Sequence, residues 1–178
     1  AIFYHQGQCC EAGSRLLLQK KLHDSFVERL ISKTKKLKLG DPNDATTDLG
    51  PVISKKQQER VLGYIEKGKK EGARIAIGGG TPSDPSLRKG FFVEPTVFTN
   101  VDNKMSIAQE EIFGPVLSVI RYETEDQAVA IANDSIYGLG GGIWSKDKDR
   151  AVSIAKRLRT GTVWINEHGV LLSEMPHG

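Results

Sequence analysis

The chain has 178 residues, of which 38% are hydrophobic and 26% charged, and a formal net charge of +3. That length holds one ordinary domain with a sizeable core and is short for two. The composition excludes a disordered or collagen-like chain, the near-balanced charge leaves no electrostatic footprint for nucleic acid, and no run approaches the roughly 18 consecutive apolar residues of a membrane span.

Residues 15–19 form a short apolar run that predicts a buried strand. A helix is predicted after His23-Asp24-Ser25, with Phe26, Val27, Leu30, Ile31, Thr34 and Leu37 at helical spacing and Gly40 as its stop. The densest basic run, Lys33 to Lys38, lies on that helix opposite an apolar face and has no aromatic stacking platform, so it reads as a solvated face. Asp41-Pro42-Asn43-Asp44 predicts a turn. A second helix starts at the capping box Ser54-x-x-Gln57, buries Val61, Leu62, Tyr64 and Ile65, and ends before Gly72. Residues 74–77 read as a strand, 78–90 as a surface loop, and 92–98 as an extended segment interrupted by Pro95. The second half is more regular: a strand over 116–122, a helix over 125–133 capped by Thr124-x-x-Gln127, a strand over 140–144, a helix over 147–159 and a strand over 162–166. Strands alternating with helices of about three turns predict an α/β fold, open and doubly wound, with a mainly parallel sheet. Ligands of such sheets bind beyond the carboxyl ends of strands, which points to the loops after Tyr122, Trp144 and Asn166. No signal peptide opens the chain, and a reducing, cytoplasmic setting is the expectation. Both ends read as cut from something longer, so part of an active site could lie outside these residues.

Cys9 and Cys10 are the only cysteines. Neighbouring cysteines close a disulfide only through a strained ring, so both thiols are expected to be free. Ala12, Gly13 and Ser14 would let a ligand come close, and a thiolate favoured by backbone N–H groups, a helix N-terminus or a cation is a nucleophile near neutral pH. Cys10 is therefore a candidate nucleophile; on chemistry alone an inert buried thiol explains it equally well. The four histidines lack the spacing of a zinc site, and no acidic cluster supports them, so no metal is expected. His168 or His177 folding back toward Cys10 would make a Cys-His hydrolase. A carboxylate such as Glu111 can accept both hydroxyls of a ribose while the ring of Phe113 packs beside a nicotinamide; a solvated acid and a core aromatic are the simpler reading of the residues alone. Asn166, after a buried strand, is read as orienting its loop.

Gly7-Gln8-Cys9-Cys10, with Phe3 before it and Ala12-Gly13-Ser14-Arg15 after it, resembles the active-site cysteine signature of the NAD(P)-dependent aldehyde dehydrogenase superfamily. The resemblance continues through Gly50-Pro51, Glu110-Glu111-Ile112-Phe113-Gly114-Pro115-Val116, Asn133-Asp134-Ser135-x-Tyr137-Gly138-Leu139 and Gly161-Thr162-Val163-Trp164-Ile165-Asn166. These motifs keep the family's order and approximate spacing and cover essentially the whole chain. The resemblance implies the catalytic, cysteine-bearing domain of such an enzyme over residues 1–178, truncated at both ends, with Cys10 as nucleophile. It implies contacts from Glu111 and Phe113, and in some members from Gln57, to a bound NAD or NADP. Residues 167–177 would form a wall of the substrate tunnel. There, Glu174-Met175-Pro176-His177-Gly178 resembles the loop of members that oxidise aminoaldehydes such as 4-aminobutyraldehyde. Glu11 departs from the small or apolar residue usual after the cysteine. Glu11, Glu174 and His177 are thus substrate-pocket candidates whose carboxylates would favour a cationic or polar aldehyde, solvent-facing side chains being the alternative. The family's general-base glutamate, its second oxyanion donor and its cofactor-binding domain fall upstream of Ala1. The chain alone is therefore expected not to turn over aldehyde, and the intact protein is expected to be a homo-oligomer with neither nucleic acid nor membrane as partner. A cysteine-dependent ester or thioester hydrolase and a non-catalytic interaction module are the other classes left open.

Overall fold

In the computed structural model, which describes residues 2–176, strand β1 (Arg15–Gln19) runs straight into helix α1 (Lys20–Thr34). Helix α2 (Lys55–Lys70) leads to β2 (Arg74–Ile77) and β3 (Thr96–Thr99), and a short helix α3 (Ser106–Gln109) precedes β4 (Val116–Tyr122). Then come α4 (Glu125–Asn133), β5 (Gly140–Ile143), α5 (Lys148–Ala155) and β6 (Thr162–Ile165). The larger sheet has the order β1-β4-β3-β2, with β1 and β3 parallel to β4 and β2 antiparallel at the edge. β5 and β6 form a separate parallel pair. The mainly parallel α/β architecture is the one expected, with its strands shared between two sheets. The glycines of β5 offer no apolar face to the larger sheet; instead the indoles of Trp164 and Trp144 lie within 3 Å of where the Cβ atoms of Gly140 and Gly142 would stand.

Residues Val116 to Ile120 are all buried, as a central parallel strand covered on both faces requires. Val116 and Ile120 pack with Phe98, with Val61 and Ile65 of α2 and with Ile107 of α3, while Leu117 and Val119 pack with Val97, Leu18 and Val27 of α1 on the other face. The strand period of two thus divides one apolar run between two layers.

Several boundaries differ from the sequence expectation for local reasons. α1 starts three residues before His23, because β1 enters it with no capping side chain; His23 is buried, its Nδ1 2.7 Å from Asp24 Oδ1. Leu62 and Tyr64 are half-buried rather than core residues. In the 92–98 segment the ladder begins only at Thr96, immediately after Pro95, which has no N–H to donate. α3 was not anticipated; Glu71 holds its first residue by accepting from Ser106 N–H at 2.8 Å and from its hydroxyl.

The predicted turn closes on Asp44, which accepts from Thr46 N–H and hydroxyl at 2.8 Å each and from Lys38 Nζ at 3.1 Å. Those bonds, the Thr46 backbone N–H first, pull its carboxyl down to about 2. A depressed folded value means stabilisation that is complete above the ordinary carboxylate range and lost as pH falls toward 2. Between pH 4 and 2 the amide resonance of Thr46 should therefore shift with an acidic midpoint, and Asp44→Asn should remove that titration.

Candidate active site

Ahead of β1, residues Tyr4–Gly7 form a tight turn in which His5, Gln6 and Gly7 all have left-handed backbones, with φ of 50°, 56° and 70°. Gly7 is buried, and a Cβ on it would stand 2.1 Å from the carbonyl oxygen of Gly114. Only glycine lets these two backbones meet. A Cβ on Gly114 would in turn stand 2.4 Å from a methyl of Val61 on α2. The cysteine loop, the Glu110–Pro115 loop and α2 are therefore stacked in that order. Gln8 ties the same loop to the segment after Gly50-Pro51, its Oε1 accepting from Ile53 N–H at 2.9 Å. A turn closed by Ala12 N–H donating to Cys9 C=O at 3.0 Å leaves Cys10 exposed and Cys9 half-buried, both as free thiols. The inert buried thiol is thus not the environment of Cys10.

The Glu110–Phe113 segment is gripped by one face of α2. Gln57 Nε2 donates to Ile112 C=O at 3.2 Å and Phe113 C=O at 2.8 Å, and Arg60 Nη2 donates to Glu111 C=O. Tyr64 OH and Lys67 Nζ donate to the Glu110 carboxylate at 2.8 and 2.9 Å. The hydrogen bonds from Lys67 and then Tyr64 hold the Glu110 carboxyl below its ordinary range, and the bond to Glu110 raises Lys67. Burial, then Glu110, raises the Tyr64 phenol. Phe113 has φ of 59°, costly for a bulky side chain, and the residue is 37% exposed. The Glu111 N–H reaches Tyr137 OH at 3.3 Å, while its carboxylate is exposed and makes no hydrogen bond or ion pair among the described residues.

Of the three loops expected to hold ligands, the one after β6 approaches the cysteine. Asn166, at φ of 58°, accepts from Ser145 N–H at 2.8 Å and donates to Ser145 C=O at 2.9 Å, so it orients its loop. His168 lies against Trp144 and Trp164, with ring centroids 6.3 and 5.0 Å apart, and its Nε2 is 2.7 Å from the Glu11 carbonyl. A carbonyl only accepts, so that nitrogen carries the proton and cannot serve as a base toward Cys10. Glu11 is half-buried and Glu174 exposed; His177 lies outside the described residues.

Gln57 completes only half of the expected capping box. Its backbone N–H donates to Ser54 Oγ at 3.2 Å, so the cap is present, but its side chain turns to the Ile112 and Phe113 carbonyls instead of closing the capping box. Arg60, Tyr64, Lys67 and Tyr137 were not singled out from sequence as site residues, and His168 was considered only as a base for Cys10. For the first three a signal existed: with Gln57 they recur every three or four residues, which places them on one helix face beside the buried stripe of Val61, Ile65 and Gly68. Among the described residues no group of His, Cys, Asp and Glu stands ready to hold a metal, and no helix is long and apolar enough to cross a membrane.

The whole chain, residues 1–178, matches the model of the Aldehyde dehydrogenase family. It is 47% identical over all its length to betaine aldehyde dehydrogenase of Bacillus subtilis (strain 168), of which it covers 36%, and 46% identical over 99% of its length to that of Brucella anthropi, of which it also covers 36%. The fold superposes with a TM-score of 0.97 on a crystal structure of betaine aldehyde dehydrogenase from Staphylococcus aureus in complex with NAD+, at 48% identity over 99% of this chain and 35% of that one. Another structure of the S. aureus enzyme, a point mutant with NAD+ and a cysteine modified by BME, matches equally well. The chain spans about a third of the length of the curated relatives it matches. With five family motifs in order along the chain and a family match from end to end, the chain belongs to the aldehyde dehydrogenase family.

Proposed function

We propose that these residues are the catalytic domain of an NAD-dependent aldehyde dehydrogenase that oxidises a cationic aldehyde to its carboxylic acid. One observation carries the reading: exposed Cys10 sits on the loop whose Gly7 packs backbone to backbone on the loop presenting Glu111 and Phe113. The residues fit the cofactor, because the uncommitted Glu111 carboxylate offers two acceptors to a ribose diol and the ring of the exposed Phe113 offers a face to a nicotinamide. The S. aureus relative was solved with NAD+, which favours NAD over NADP.

In this reading the Cys10 thiolate attacks the aldehyde carbon, and the oxyanion of the resulting thiohemiacetal is held in part by the Cys10 backbone N–H. NAD, when bound, supplies the acceptor for the hydride that leaves that carbon. Water then opens the thioester on Cys10, releasing the acid and restoring the thiol. The base for that water and a second oxyanion donor belong, by the family resemblance, to residues outside this chain. An exposed thiol among the described residues also lacks the water-excluded cleft that hydride transfer needs.

The relatives' name supports the choice of substrate class, since betaine aldehyde carries a quaternary ammonium and is cationic like an aminoaldehyde. Glu11 and Glu174 are the carboxylates proposed to favour such charge, with His177 as a further contact. The intact enzyme is proposed to be a homo-oligomer of the cytoplasm, a reducing setting that suits two free thiols.

The test is NADH formation by a full-length protein carrying this chain. Betaine aldehyde or an aminoaldehyde should be oxidised only when NAD is present, and the isolated 178-residue chain should give no steady rise in absorbance. Glu11→Gln with Glu174→Gln should lower the preference for a cationic over a neutral aldehyde of equal length about tenfold, the order expected when neighbouring charges are removed. Ester hydrolysis without aldehyde oxidation would favour a hydrolase instead.

A further inference from the structure

We propose that Glu110, Tyr64 and Lys67 are positioning residues for the nicotinamide half of the cofactor: α2 clamps the Glu110–Phe113 loop so that Glu111 and Phe113 face outward in a fixed pose. The inference rests on the reading of Glu111 and Phe113 given above.

The two adjacent acids are treated in opposite ways. Glu110 uses both carboxylate oxygens on α2, one on Tyr64 OH and one on Lys67 Nζ, whereas the Glu111 carboxylate meets no partner among the described residues. Successive residues in an extended segment project to opposite sides, and Glu110 is extended at φ −114° and ψ 148°. Anchoring the first acid on the helix therefore turns the second away from it. The remaining bonds finish the grip in antiparallel order along the same helix face. Arg60 takes the carbonyl of Glu111, and Gln57 takes those of Ile112 and Phe113.

Such a grip has work to do. Phe113 is held in the left-handed region, a conformation that persists only where its surroundings over-determine it. Gln57 bonds its carbonyl directly, and the Gly114 backbone beyond it is wedged between Gly7 and Val61. Arg60 and Lys67 both stand over the Tyr64 ring, 5.1 and 5.7 Å from its centroid, so two cations help hold the phenol that donates to Glu110. Glu110 held below its ordinary range and Lys67 raised above its own keep the pair charged at neutral pH, in agreement with this geometry.

The experiment uses the full-length protein and compares Glu110→Gln, Tyr64→Phe, the Tyr64→Phe/Lys67→Met double variant, Lys67→Arg and Glu111→Gln. The KM for NAD should rise about fivefold in Glu110→Gln and about tenfold in the double variant, sizes that a part-exposed charged pair with two hydrogen bonds supports. The aldehyde KM and the kcat at saturating NAD should stay within about twofold, the pattern of lost cofactor binding rather than lost chemistry. Lys67→Arg should restore the parent NAD KM. If Glu110→Gln does not fold, Tyr64→Phe removes a single hydroxyl and carries the same comparison. The inference alone is overturned if Glu111→Gln weakens NAD while neither Glu110→Gln nor the double variant does, or if the KM values for NAD and aldehyde rise together. If Glu111→Gln also leaves the NAD KM unchanged, the assignment of Glu111 fails and the inference falls with it.

Discussion

Replacing Gly7 by alanine in the full-length protein is expected to destabilise the fold by about 3 kcal/mol and to lower kcat/KM about a hundredfold. Two effects add. A left-handed backbone costs alanine about 1 kcal/mol relative to glycine. The new methyl also falls 2.1 Å from a carbonyl oxygen, and because that atom is backbone, no rotamer change clears it. The loops must part by about an ångström, a displacement that alone costs on the order of a hundredfold when it separates groups that act together. Gly114→Ala makes the informative contrast, since its methyl would meet the Val61 side chain at 2.4 Å. Val61→Ala should rescue Gly114→Ala in part and leave Gly7→Ala unrescued. Urea midpoints at constant slope read the stability, and NADH initial rates read the chemistry. An unchanged midpoint for Gly7→Ala would refute the backbone contact.

For Cys10→Ala, kcat should fall about four orders of magnitude with no change in unfolding midpoint. The thiol is exposed and packs against no core cluster, so truncating it leaves no cavity. Cys10→Ser should be nearly as inactive, because a hydroxyl is almost wholly un-ionised at neutral pH and is a far weaker nucleophile than a thiolate. Cys9→Ala should keep kcat within about threefold, since its half-buried thiol has no place in the proposed chemistry. Equal loss in Cys9→Ala and Cys10→Ala, or retained oxidation in Cys10→Ala, would remove Cys10 as the nucleophile. Alkylation followed by peptide mapping gives an independent reading: one equivalent of iodoacetamide should label Cys10 ahead of Cys9.

Strands, helices and caps were legible in the residues because the signals that mark them are local. Ser54 and Thr124 accept from the N–H groups three residues on, and the buried run of β4 falls where the apolar residues cluster, whereas β1, expected to be buried, has only Leu18 fully inside. Local signals fail where a distant partner decides. α3 depends on Glu71, 35 residues before Ser106, and the start of β3 depends on which residue after Pro95 finds a partner in β4. The strands over 140–144 and 162–166 read from sequence like members of a single sheet. In the structure they pair only with each other, in a second sheet where the indoles of Trp164 and Trp144 lie over the β5 glycines, an arrangement no linear pattern announces.

The sequence by itself determined the class of the fold, the identity of the candidate nucleophile and the set of motifs that mark the family, since each is carried by residue types at short spacing. Only the tertiary structure decided how those motifs act on one another. It put Gly7 against Gly114, turned Gln57 from its own cap to the strained Phe113 carbonyl, committed Glu110 to α2 and left Glu111 outward, and spent the His168 Nε2 on Glu11. The physical reason is one of range. Periodicity and capping are settled within one or two turns of chain, whereas a hydrogen bond or a backbone contact between residues about fifty or a hundred positions apart exists only once the layers have packed.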